Sequence, residues 1–327
     1  MHGTAYDNYA VEDCDFLIAV ASRFDDRVAG KPSNFAPKSR FIAHIDIDLA
    51  EHGKVKPSTW SHTGDARTTL VDLLDAGGGF NKDFSAWRSH LGELRQDHAH
   101  NFDRASQLIQ PQYVLECLNE IVLGEAIITT GVGQHQMWAA QYLSFKHPRS
   151  WLTSGSMGTM GFGLPAAIGA QFACPDRLVI NVDGDGSIRM NFGELETVTT
   201  YGLPVKVLVF NNSGDGMVRQ WQRLYFAERF CGTDKSLHKK DFIKAAEADG
   251  FEFAVRVSDK AELPRVLRTF IEHNGPAFLE VVVDQNACVF PMIGPGAGYK
   301  EMITGEFIPP RQTVQVAADG QEKPDLF

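Results

Sequence analysis

Long apolar runs are missing from this chain. No segment approaches the ~18 uninterrupted apolar residues of a membrane-spanning helix, and the longest hydrophobic stretches have the length of strands. A membrane partner is therefore not expected. Concentrated positive charge is missing as well. Lys and Arg number 31 against 41 Asp and Glu, the net charge is −10, and no basic run or stripe stands out. That argues against nucleic acid as the main partner. Cysteine is scarce and without pattern. Cys14, Cys117, Cys174, Cys231 and Cys288 are scattered, odd in number and form no CxxC pair, as expected of reduced thiols in a cytosol-like compartment. The start, Met1-His2-Gly3, carries neither a signal peptide nor a basic amphipathic presequence. Repeats and low-complexity tracts are absent. What is present is ordinary for a soluble globular protein: 43% hydrophobic residues over 327 positions, enough chain for two domains.

Along the chain, residues 1–76 alternate short apolar strands, at 16–20 and 41–47, with turns, until Gly77-Gly78-Gly79 breaks the pattern. Residues 77–110 read as a linker containing a polar, charged helix over 84–105. Residues 111–285 alternate strand and helix densely, with strands expected at 126–130, 178–183, 205–210, 251–257 and 277–283. Such alternation specifies an α/β fold with a doubly wound parallel sheet that takes ligands at the strands' carboxyl ends. Residues 286–327, rich in Gly and Pro, read as an extended C-terminal tail.

Chemistry concentrates at those strand ends. Asp185, within Gly184-Asp185-Gly186-Ser187, follows one apolar run and Asn212 closes another. A helix expected over 191–201 joins them, so both tips fall at one sheet edge. A carboxylate and an amide oxygen held there can share Mg2+, which uses few protein oxygens and leaves positions for a diphosphate. Gly184 and Gly186 let the backbone approach phosphates. An ordinary turn between strand and helix would account for Asp and Gly, but not for the paired Asn after a second strand. Together these residues form the signature of a thiamine diphosphate site. Gly214 has only a carbonyl to offer a metal, so Asp185, Asn212 and Gly214 make the expected metal set. Gly131-Val132-Gly133-Gln134-His135 is a second glycine-flanked turn where backbone N–H groups can meet phosphate. His135 could donate to a diphosphate oxygen, though alone it would read as a loop histidine. Met160 could wedge between the rings of a bent ligand or simply fill the core. Trp221 could line a substrate entrance or lie half-buried at the surface.

These motifs, joined by Arg23-Phe24-Asp25-Asp26-Arg27-Val28, His44-Ile45-Asp46-Ile47-Asp48, Met160-Gly161-Phe162-Gly163, Gly216-Met217-Val218-Arg219-Gln220-Trp221 and Pro291-Met292-Ile293, resemble one family over nearly the whole chain. It is the catalytic subunit of acetohydroxyacid synthase, or acetolactate synthase. The resemblance implies thiamine diphosphate, Mg2+ and FAD as cofactors. It also implies decarboxylation of pyruvate, with the two-carbon unit joined to a second pyruvate or to 2-ketobutyrate in branched-chain amino-acid biosynthesis. By position, Val132, Gly133, Gln134 and His135 resemble the diphosphate loop, and Gly158 and Met160 the grip on the aminopyrimidine. Asp185, Gly186, Ser187, Asn212, Gly214, Gly216 and Met217 complete the cofactor site. Met217, Val218 and Trp221, with Asp26 and Arg27, fall on the substrate pocket. Arg23, Phe24, Asp25, Asp46, Ile47, Asp65 and Ala66 fall on the FAD site.

The resemblance further implies a homo-oligomer, dimer or tetramer, with the active site at a subunit interface, a small regulatory subunit, and a cytoplasmic or organellar location. Glyoxylate carboligase and pyruvate oxidase share the same domains and stand as alternatives, as does a non-catalytic cofactor-binding fragment. Gly214 and Asp215 replace bulkier residues expected of many members. The chain begins inside the middle domain, so it reads as a C-terminal fragment. The glutamate that activates the cofactor is not found in it, no catalytic residue is assigned, and the chain alone is expected not to form acetolactate.

Overall fold

The computed structural model describes residues 3–311. The outer ends of the expected first domain and tail, 1–2 and 312–327, lie outside the described residues. Two compact units emerge, one formed by Met1–Asn101 with Phe290–Phe327 and the other by Phe102–Val289.

In the first unit, β1 (Phe16–Val20), β2 (Phe41–Asp46) and β3 (Trp60–Thr63) form a parallel sheet in that order. β3 reads Trp-Ser-His-Thr and is exposed throughout, so no alternation announced it. Its core gathers Ala5, Tyr9, Phe24, Ile42 and Leu94 with Ile293, Tyr299 and Met302. Two expectations are corrected here. The helix Ser85–Asp97 does not link units: its Leu94 joins this core, and His90 Nε2 lies 2.9 Å from Asp13 Oδ2. The stretch from Phe290 is not a separate tail either. Met292 and Ile303 exchange backbone hydrogen bonds of 2.8 and 2.7 Å, and their neighbours are buried in the same core because apolar residues punctuate the Gly/Pro-rich sequence.

The second unit holds β4 (Ile127–Thr130), β5 (Trp151–Thr153), β6 (Val179–Gly184), β7 (Lys206–Asn211), β8 (Phe253–Val257) and β9 (Ala277–Val282). They form one parallel sheet in the order β5-β4-β6-β7-β9-β8. Successive side chains on a strand point to opposite faces. Ile180, Val182, Leu208 and Phe210 therefore meet the helices Pro111–Val122 and Leu263–Glu272, while Val179, Val207 and Val209 meet Gly163–Ala173 and Phe242–Ala248. Burial on both faces explains the near-continuous apolar runs. From β4 the chain moves outward to β5 and then returns past β4 to β6, so the order reverses between β4 and β6. That switch point opens a crevice at the strands' carboxyl ends.

The helix expected over 191–201 is shorter. A 3-10 stretch, Ile188–Glu194, precedes the α-helix Leu195–Thr200, with Asn191 off helical geometry at φ −131°. Asn191 Nδ2 donates to the Gly161 carbonyl at 2.8 Å, a bond that holds this residue out of the helix. Among the described residues no helix is long and apolar enough to cross a membrane.

Candidate cofactor and metal site

At the switch point lies a cavity of about 220 Å³ lined by the tips of β4, β6 and β7. Val132, Gly133, Gln134, His135, Gly158, Met160, Asp185, Gly186, Ser187, Asn212, Gly214, Gly216, Met217 and Val218 all border it, so residues spread over 86 sequence steps converge on one chamber. Trp138, Gly184, Phe210 and Asp215 complete the lining.

Ser187 ties the loops together. Its Oγ accepts from the backbone N–H of Val132 (3.2 Å) and of Gly161 (3.0 Å), and its hydroxyl serves the buried Asp183 carboxylate. Asp185 is only 2% exposed, and its Oδ1 has no hydrogen-bond partner. Burial pushes the Asp185 carboxyl up to about 7, against the pull of Arg189. Burial likewise lifts Asp183 to about 7, against hydrogen bonds from Ser187, Gly184 and Asn181. His135 is buried and held neutral, its pKa pushed down to about 3 by burial against a bond to the Gly131 backbone, and its Nε2, without a hydrogen bond, lies 3.5 Å from Asp183 Oδ1.

Asn212 is oriented by a side-chain chain behind it. Its Nδ2 donates to Gln134 Oε1 at 3.1 Å, so Oδ1 is the atom left for the cavity. Gln134 Nε2 donates in turn to Gln220 Oε1 (2.8 Å) and to the Ala287 carbonyl (3.0 Å). Gln220 Oε1 also accepts from Val289 N (2.8 Å), and its Nε2 donates to Val289 O (2.9 Å). Gly216 is required by this network: a Cβ there would lie 2.1 Å from Gln134 Oε1 and 2.5 Å from Asn212 Nδ2. From the other side, Asn211 Nδ2 donates to the buried Glu280 at 2.6 Å while its Oδ1 accepts from Ser213 N at 2.9 Å. That bond supports Ser213 at φ +55°, the turn that presents Asn212 and Gly214.

Sequence reasoning missed Gln220, Asp183, Asp215 and Glu280. Gln220 sits four residues after Gly216 in the helix Gly216–Tyr225, on the same helical face, which is the signal that could have found it. Trp221 does not border the cavity. With Val218, Gln222, Phe226, Arg229 and Cys231 it lines an adjoining open groove, and its ring packs on Tyr225 at 5.0 Å. Val218 is shared by cavity and groove.

The remaining expected residues lie in the first unit. Arg23, Phe24 and Asp25 follow β1, with Asp25 paired to Arg23 at 3.2 Å and capping the short helix that holds Asp26 and Arg27. Asp46 ends β2 beside Ile47, and Asp65 caps the helix that Ala66 begins after β3. All stand at the carboxyl ends of neighbouring parallel strands.

Among the described residues no group of three His, Cys, Asp or Glu is placed to hold a metal. A cation here would depend on carboxylate, amide and carbonyl oxygens, a set that suits a hard ion such as Mg2+. The partnerless buried oxygen of Asp185 fits that demand.

Two family models match the chain. Residues 131–281 match the thiamine pyrophosphate enzyme C-terminal TPP binding domain, and residues 1–73 match the thiamine pyrophosphate enzyme central domain. Both matched stretches are domains of thiamine pyrophosphate enzymes. The chain is similar to acetolactate synthase 1, chloroplastic, of Nicotiana tabacum, at 46% identity over 93% of this chain and 47% of the relative. It is 45% identical to acetolactate synthase, chloroplastic, of Arabidopsis thaliana, over 93% of this chain and 47% of that one. The acetolactate synthase large subunit of Parasynechococcus marenigrum is 42% identical, over 93% and 49%. The chain thus spans about half the length of the curated relatives it matches.

Proposed function

We propose that the second unit binds thiamine diphosphate through Mg2+ and that the whole protein is an acetolactate synthase. It would decarboxylate pyruvate and join the two-carbon unit to pyruvate or 2-ketobutyrate. The observation that carries this reading is the buried, partnerless Asp185 Oδ1 at a cavity bordered by Asn212 and Gly214. A buried carboxylate oxygen without a hydrogen-bond partner is costly, and a divalent cation supplies a partner. Asp185, Asn212 Oδ1 and the Gly214 carbonyl would hold the ion, which would offset the charge of the diphosphate.

Thiamine diphosphate, when bound, supplies the decarboxylation and carbon–carbon bond chemistry. The chain's own residues bind, orient and exclude water. Ser187 fixes the loops on either side of the diphosphate position, and neutral His135 offers a ring nitrogen without adding charge. Met160 and Gly158 bound the pyrimidine side. Met217 and Val218 make the wall apolar, and Val218 leads into the groove of Trp221, the proposed route of the acceptor. The carboxylates at the ends of β1, β2 and β3 suit the hydroxyls of FAD, the cofactor proposed for the first unit. A homo-oligomer and a small regulatory subunit are the proposed partners.

Asp185→Ala tests the assignment by titration calorimetry with thiamine diphosphate and Mg2+. The expected result is loss of Mg2+-dependent binding with the fold retained. Unchanged affinity would remove Asp185 from the site and the reading with it.

A further inference from the structure

Asp215 is a carboxylate that the metal set above does not use. It borders the same cavity as Asp185, Asn212 and Gly214. Its Oδ2 is paired with Lys235 Nζ, while its Oδ1 is buried and has no partner. A Cβ on Gly186 would lie 2.2 Å from that Oδ1 and 3.7 Å from the Gly214 carbonyl oxygen. Both oxygens therefore face one point above Gly186, the residue that follows Asp185. The position is held rigidly. Asp215 N donates to Thr233 O at 3.0 Å and Lys235 N to Ser213 O at 2.8 Å, so 213–215 and 233–235 pair as a short antiparallel ribbon. Independently, Asp185 borders the same chamber, is 2% exposed and has a buried, partnerless Oδ1 of its own. Two partnerless carboxylate oxygens at one cavity repel each other unless a cation lies between them.

We propose that Asp215 is a second carboxylate of the cation site, its Oδ1 free for the ion and its Oδ2 held by Lys235, a resident cation that competes with the ion for the carboxylate's charge. The inference rests on the cofactor reading and deepens it. Two carboxylates, an amide oxygen and a carbonyl form a more anionic, more protein-rich set than Mg2+ demands, because Mg2+ keeps waters and few protein ligands. Larger divalent ions accept more protein oxygens, and Mn2+ suits carboxylate and carbonyl donors. The site should therefore hold Mn2+ before any diphosphate arrives.

Mn2+ titration of the chain, followed by the electron paramagnetic resonance of free Mn2+ with and without thiamine diphosphate, tests this. Thermal unfolding of each variant serves as the check on folding. The wild-type chain should bind Mn2+ alone, and Asp215→Asn should weaken that binding about tenfold, since charge count sets affinity at such sites. Lys235→Met should bind Mn2+ at least as tightly as wild type, because the carboxylate loses a competing cation. Equal Mn2+ affinity in wild type and Asp215→Asn, with binding abolished in Asp185→Ala, overturns the role of Asp215 and leaves the cofactor reading standing. Equal losses in Asp215→Asn and Lys235→Met also overturn it, since an ion pair that only braces the loop predicts that result. No Mn2+ uptake by wild type even with thiamine diphosphate overturns both readings.

Discussion

Replacing Gln220 by Leu should destabilise the second unit far more than a change away from the cavity lining suggests. The side chain is 2% exposed and grips the Val289 backbone twice, accepting from its N–H at 2.8 Å and donating to its carbonyl at 2.9 Å. Val289 is fully buried, so Leu leaves two backbone groups in the interior without these partners. Each such group costs about 1–3 kcal/mol, and leucine's similar volume limits any added cavity cost, giving a net loss of about 2–5 kcal/mol. For a unit of this size each kcal/mol is worth about 2–4 °C, so the melting temperature should fall by about 5–15 °C. Circular dichroism during heating, with urea unfolding as a second measure, reads this directly. Cofactor affinity should fall less. Gln134 keeps the Ala287 carbonyl as a partner and can still hold Asn212, so the loss should be about 0.5–1.5 kcal/mol, or roughly two- to tenfold. A drop in melting temperature under about 2 °C would refute the reasoning, because the Val289 groups would then have found other partners cheaply.

Gly216→Ala places a methyl 2.1 Å from Gln134 Oε1 and 2.5 Å from Asn212 Nδ2. It should cost about 1–3 kcal/mol in stability and more than about tenfold in Mg2+-dependent cofactor affinity by calorimetry; an affinity equal to wild type would mean the Asn212 orientation does not matter. At Asp13, burial alone would raise the pKa, but Arg311, His90 and Lys38 outweigh it and hold the carboxyl at about 2. A depressed carboxyl contributes stability that is complete above its unfolded value near 3.8 and is lost as pH falls through about 2. With its partners partly exposed, the contribution is about 1–2 kcal/mol. The stability gap between wild type and Asp13→Asn should therefore shrink between these two pH values in urea titrations, and a gap that stays constant there would count against the ion cluster.

Five of the six strands of the second unit were legible because their apolar runs are near-continuous, with Gly or Asn marking where β4, β6 and β7 stop, whereas the three-residue β5 was not expected. The same logic exposed Asp185, Asn212 and the 131–135 turn, whose neighbours in sequence are strand ends. It failed for β3, since Trp60-Ser61-His62-Thr63 carries no period, and for the 290–311 stretch, whose burial depends on residues far away in sequence. Trp221, expected from the resemblance at the substrate pocket, lines the outer groove, with its ring on Tyr225.

By itself, then, the sequence determined that β1, β2, β4, β6, β7, β8 and β9 become strands and which polar residues stand at their carboxyl ends, because both follow from local patterns of burial and turn chemistry. Only the tertiary structure decided which polar groups are left without partners. The order β5-β4-β6-β7-β9-β8 brings the tips of β4, β6 and β7 into one crevice, where Ser187 satisfies Val132 and Gly161 while Asp185 Oδ1 and Asp215 Oδ1 receive nothing. A hydrogen bond between residues dozens of positions apart depends on packing in three dimensions, and so does its absence. The demand for a cation is written in that absence.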